Sequence, residues 1–247
     1  MTKEELLQQF VTLARNAAGD NLESVVLYGS SVRGDAEAPY SDLNLLCLVR
    51  SAALAELGKM ATLIHWWVQG QGQRAPLVFT ADELRSSADV FAIELLDMQR
   101  AHRVLLGAEI ISAIPVPMNL HRVQVEHELR TLIQKLRQHY LHNPADEAAL
   151  RTVLAKSFSS AVTLLRHTLI AMEHEAAVDR HDLLQQVHKH LGVNAHPLQA
   201  VLELRSNPKA KGGMVLLYGH YLQALEKVCD QLDHWLPKKE WQRVGAG

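Results

Sequence analysis

Seven residues in one stretch have the types and spacing for chemistry on phosphate: Gly29, Ser30, Ser31, Arg33 and, after a polar spacer, Ser41, Asp42 and Asn44. Glycine lets the backbone approach an anion closely. A serine hydroxyl and the N–H groups at a helix start attract phosphate oxygens. Arg33 could add a charge-assisted contact, or could equally pair with Asp35 or Glu37. Asp42 and Asn44 lie two residues apart, so on a strand they face the same side. Both offer oxygen, the donor a hard cation such as Mg²⁺ takes.

The elements that must position these residues are legible on either side. Val25–Tyr28 and Leu43–Val49 are short apolar runs rich in Val and Leu and bounded by turn residues, the pattern of buried strands. Between them, Ser30 to Asp35 could open a short helix, loosened at Gly34 and stopped by Pro39. A Gly-Ser bend thus ends one strand beside a helix N-terminus, and an acidic residue opens the next strand.

Gly29-Ser30, an eleven-residue spacer and Asp42-Leu43-Asn44 resemble the signature of the nucleotidyltransferase superfamily that includes the polymerase β-like and aminoglycoside nucleotidyltransferases. Arg33-Gly34 and Ser41 are similar to the bacterial members' Gly-Ser-x-Ala-Arg-Gly and Ser-Asp-x-Asp. The close match runs from Val25 to Val49. The resemblance implies transfer of a nucleoside monophosphate from a nucleoside triphosphate to an acceptor hydroxyl, with Mg²⁺ as cofactor. It implies phosphate contacts from Gly29, Ser30, Ser31 and Arg33. Metal-facing roles fall to Asp42, Asn44 and a third acid on a later strand, for which Ile93-Glu94-Leu95-Leu96-Asp97 supplies Glu94.

Asn44 stands where the family carries a carboxylate. Its amide oxygen can ligate Mg²⁺ but brings no charge, and a changed ligand shell costs metal sites tenfold or more. Three outcomes stay open: turnover with Glu94 or Asp97 compensating, nucleotide binding without turnover, or a structural role. The runner-up function is therefore a catalytically inactive nucleotide- or partner-binding protein.

Along the chain, Thr2–Ala18 is an amphipathic helix with Leu6, Leu7, Phe10, Leu13 and Ala14 on one face, and Thr2 with Glu5 forms a capping box. Ala52 to Val68 reads as a helix closed by Gln69-Gly70-Gln71-Gly72. Trp66 and Trp67 at its end suit core and rim packing better than base stacking. Ala75–Thr80 reads as a strand, with Thr80 capping a helix through Arg85. Asp89–Met98 fits either strand or helix. Arg100–Leu106 reads as helix-like, stopped by Gly107. Pro115 and Pro117 mark a domain boundary, giving a nucleotidyltransferase-like domain over 1–114 and a helical domain over 118–247.

Beyond Asn119 strand signals vanish. Asn119–His142, Glu147–Glu175, Asp182–Leu191, His196–Ser206 and Val215–Leu236 have apolar residues at helical spacing, and Gly192 is placed as a C-cap. The fold class is α+β: an N-terminal mixed sheet with flanking helices, then an α-helical bundle for acceptor binding or dimerisation. Helical companions of such domains can be ribonucleases with Arg-x4-His, and both Arg122–His127 and Arg137–His142 fit that spacing. The remaining histidines read as surface or interface residues, without the ligand sets of a zinc site.

For 247 residues two domains are the natural expectation. Apolar residues make up 48% and charged residues 21%, and the formal net charge is −2, which gives no nucleic-acid or membrane signal. Cys47 and Cys229 make neither a disulfide framework nor a zinc site, which points to a reducing cytoplasm. The acidic, amphipathic MTKEELLQQF is unlike a signal peptide, and no run approaches a membrane span. The expected partners are a nucleoside triphosphate and a small-molecule or macromolecular acceptor, with a homodimer open.

Overall fold

The computed structural model describes residues 1–29, 31–32, 43–206 and 213–235. Two compact units follow each other in the chain, Met1–Met118 and Asn119–Gly247.

The first unit opens with α1 (Lys3–Ala18), fixed at its start by a reciprocal cap. Thr2 Oγ1 accepts from Glu5 N at 3.2 Å, and Thr2 N donates to Glu5 Oε2 at 2.8 Å. Leu7, Phe10, Ala14 and Ala18 are its buried stripe, at the three- and four-residue spacing a helix requires. Gly19, at φ 53°, turns the chain out of the helix.

Strands β1 (Leu22–Tyr28) and β2 (Asn44–Val49) form next, with β3 (Leu77–Phe79) and β4 (His102–Leu106) completing the sheet among the described residues. The order is β3-β2-β1-β4. β1 is antiparallel to both β2 and β4, while β2 and β3 are parallel, so the sheet is mixed. Alternation along β1 and β2 sends Val25, Leu27, Leu45, Cys47 and Val49 to one face, against α1. Val26, Leu46 and Leu48 go to the other face. There they meet Leu84 of α4 (Ala81–Ser86) and Leu95 and Met98 of α5 (Ala92–Arg100). A second capping box, Thr80 with Glu83, starts α4.

Three expectations are corrected. Arg100–Leu106 is not helix-like: α5 stops at Arg100 and His102–Leu106 is the edge strand β4. Pairing with β1 decides this, and Ser24 Oγ fastens its end by donating to the Leu106 carbonyl at 2.9 Å. The helix over Ala52–Val68 is broken into α2 (Leu54–Lys59) and α3 (Ala61–His65), followed by a π-helical turn at Trp66–Gly70. Trp67 is the reason for the turn's position, being fully buried edge-on against Phe10 with its indole N–H donating to the Arg74 carbonyl at 2.9 Å. Finally, within Asp89–Met98 the chain turns through Asp89–Phe91 and is helix from Ala92, so Glu94 lies on α5 and not on a strand.

The second unit is helical throughout its described residues: α6 (His121–His142), α7 (Glu147–Ala171), α8 (Arg180–Leu191), α9 (His196–Ser206) and α10 (Met214–His234). Asp146 and Asp179 cap α7 and α8, and Gly192 closes α8 at φ 62°. Leucines of α6, α7 and α10 fill its centre, and the buried Tyr218 hydroxyl donates to the Leu136 carbonyl at 2.7 Å. His121 and His167 also lie inside, contrary to a surface role for the histidines. Their rings share a hydrogen bond of 2.9 Å between Nε2 and Nδ1.

Candidate active site

The register Tyr28↔Asn44 sets the end of the β1–β2 pair. The end of β1 at Tyr28 and the start of β2 at Asn44 therefore lie side by side. Ser30, Arg33 and Asp42 themselves, and the helix expected over Ser30–Asp35 apart from a turn at Ser31 and Val32, lie outside the described residues.

Gly29 turns immediately after β1 at φ +84°, a conformation that favours glycine. Its N–H donates to the Ala101 carbonyl at 3.0 Å, and its carbonyl accepts from Val32 N at 3.2 Å. A Cβ built on Gly29 would stand 3.2 Å from Nδ2 of Asn44. The glycine thus serves two ends: it permits the bend, and it leaves room for the Asn44 amide.

Tyr28 stands at the centre of this sheet end, opposite Asn44 on one side and His102 on the other. Partners in register share a face, so these three side chains belong to the α5 side of the sheet. Burial pushes the Tyr28 phenol up to about 12, with the charge of Glu94 adding to the effect and Arg74 opposing it. Both Glu94 and Arg74 are therefore within electrostatic reach of Tyr28. His102 donates from Nδ1 to the Met98 carbonyl at 2.8 Å, and its Nε2 lies 3.1 Å from Glu109 Oε1. The Ser112 N–H holds the Glu109 carboxyl below its ordinary range.

The structure brings Asn44 against Gly29, while Glu94 on α5 acts electrostatically on Tyr28. Asn44 and Glu94 carry oxygen donors of the kind magnesium takes, so the donor chemistry suits such an ion. Among the described residues no group of three or more His, Cys, Asp or Glu is placed to hold a metal ion. Cys47 is no reactive group either: burial within β2 pushes its thiol up to about 12.

Two residues escaped the sequence reading. Gln73 Oε1 accepts the Leu43 N–H at 2.9 Å, at the foot of β2. Arg74 follows it and acts on Tyr28. Neither carries a local signal, since both reach the site from a loop thirty residues further along the chain.

The Arg-x4-His pairs are engaged otherwise. Arg137 donates to Glu226 at 2.7 Å. Arg122, buried, donates to Glu126 at 3.0 Å and to the Leu232 carbonyl at 3.1 Å. Both arginines knit α6 to α10.

In fold the chain, a mixed-sheet unit followed by a helical one, is similar to a solved adenyltransferase. One solved structure that shows this is spectinomycin adenyltransferase AAD(9) from Enterococcus faecialis, with ATP and spectinomycin. It is 13% identical, the similarity covers 94% of this chain and 100% of that one, and the TM-score is 0.61. The likeness is one of fold. No family model matches the chain, and no curated protein matches it. Among the described residues no helix is long and apolar enough to cross a membrane.

Proposed function

We propose that this protein is a nucleotidyltransferase that moves a nucleoside monophosphate from a nucleoside triphosphate to a hydroxyl of a small acceptor. The observation that carries the reading is the Gly29 bend at φ +84°, ending β1 with the Asn44 amide against it. Gly29, Ser30, Ser31 and Arg33 would receive the phosphates, because open backbone and hydroxyl donors there meet anionic oxygen. Asp42, Asn44 and Glu94 would hold Mg²⁺, which when bound supplies positive charge to the phosphoryl oxygens. The acceptor oxygen forms the new bond to the α-phosphorus, the bond to pyrophosphate breaks, and the hydroxyl proton passes to a base. ATP and spectinomycin are the first compounds to try, since the solved neighbour holds both. Acceptor recognition is assigned to the helical unit.

One observation favours a second reading, nucleotide binding without turnover: a neutral amide occupies position 44. A thermal-shift screen of nucleoside triphosphates with and without Mg²⁺, run on wild type and Asp42→Ala, tests the shared premise. A Mg²⁺-dependent rise in melting temperature lost in Asp42→Ala supports nucleotide binding. Pyrophosphate release with an acceptor panel then separates turnover from binding. No response to any nucleotide would refute both readings.

A further inference from the structure

Strand β3 joins the sheet late. Its first pair with β2 is Leu77↔Leu46, so the ladder on that side of β2 begins three residues after Leu43. Leu43 is only 2% exposed, and a backbone N–H at such a place costs free energy if left without an acceptor. The side-chain amide of Gln73 takes the place of the missing strand: Oε1 accepts from Leu43 N at 2.9 Å.

Gln73 is itself held. Its backbone N–H donates to the Trp67 carbonyl at 3.2 Å, and its Nε2 donates to the Gln71 carbonyl at 3.3 Å. The next residue, Arg74, gives its carbonyl to the Trp67 indole at 2.9 Å. Trp67 in turn is fully buried against Phe10. A chain of fixed groups thus runs from the core to one peptide N–H, and that N–H belongs to the residue between Asp42 and Asn44.

We infer that Gln73 is a positioning residue of the nucleotide site, anchoring the backbone at Leu43 so that Asn44 keeps its place against Gly29 at the foot of β2. The inference rests on the nucleotidyltransferase reading. Gln73 touches no reacting atom in this role; it acts through the strand, as groups behind a ligand set commonly do.

Two variants separate positioning from mere packing. Gln73→Met keeps length and volume but removes the acceptor, and Gln73→Glu keeps the acceptor. In the protein without ligand, amide exchange at Leu43 should quicken on the order of tenfold in Gln73→Met while Leu46 is unchanged. Affinity for ATP with Mg²⁺, read by thermal shift, should fall on the order of tenfold in Gln73→Met and recover in Gln73→Glu. Unchanged exchange at Leu43 would overturn the anchor. Faster exchange with wild-type ATP affinity would show a structural role only and overturn the positioning. A wild type that takes up no nucleotide would instead refute the nucleotide reading, and the functional half of this inference with it. Exchange at Leu43 would still decide the anchor.

Discussion

The side-chain amide of Asn44 lies against Gly29, so that a methyl group added at that glycine would come within 3.2 Å of Nδ2. Two strand ends that are fifteen positions apart in sequence meet at this contact.

Gly29→Ala should therefore disturb both the bend and the amide. At φ +84° an L side chain is strained by about 1–2 kcal/mol, and the crowded Asn44 amide must give way. The expected result is a lower melting temperature together with weaker stabilisation by ATP. Melts with and without nucleotide measure both, and full retention of the ATP response would remove Gly29 from the site.

Asn44→Asp places a carboxylate opposite Tyr28, whose phenol already feels the charge of Glu94. Two carboxylates acting on one tyrosine repel each other unless a cation intervenes. The variant should melt lower than wild type in chelator and regain stability in millimolar Mg²⁺. Mg²⁺-dependent pyrophosphate release should rise roughly tenfold to a hundredfold. Equal release from both forms would mean that charge at position 44 does not limit the reaction.

His121 gives the helical unit a defined acid sensitivity. Burial, with His167 beside it, holds the folded-state value near 4, whereas in the unfolded chain a histidine takes its proton near 6.5. Between those values the unfolded state binds more protons, so stability falls as pH drops through this window and is insensitive to this group above it. The slope approaches about 1.4 kcal/mol per pH unit. Urea melts at pH 7 and pH 5 should show the loss, and His121→Leu should reduce it.

Gly107→Ala tests the edge strand. Gly107 has φ +83°, and a Cβ there would overlap the Glu23 carbonyl across the turn out of β4. Neither group is the flexible end of a side chain, so the backbone itself must shift. A loss of on the order of 3 kcal/mol is expected in chemical denaturation. A variant as stable as wild type would show that β4 is not tied down as described.

Those two glycines also show what the sequence could and could not reveal. Gly29 announced itself, because it ends a dense apolar run and begins a polar one. Gly107 looks like a helix stop in the sequence, because His102–Leu106 follows α5 almost without a break and is too short to display alternation. Only pairing with β1, some eighty residues earlier, makes it a strand. The capped helices were legible for the opposite reason: Thr2 with Glu5, and Thr80 with Glu83, are local devices that act within one turn. Glu94 fell between these cases. Its window, Ile93–Asp97, satisfies both periods, and packing of Leu95 and Met98 against the sheet settles it as helix. Gln73 has no local signal, since its partner is a backbone N–H, a group that every residue but proline possesses.

Trp67 has one more consequence. Its indole is shielded from water, clasped by Phe10, and hydrogen-bonded one residue away from Gln73. Fluorescence from that ring is thereby sensitive to any loosening of the loop beside β2. The ring is thus an optical gauge of the segment that holds Gln73.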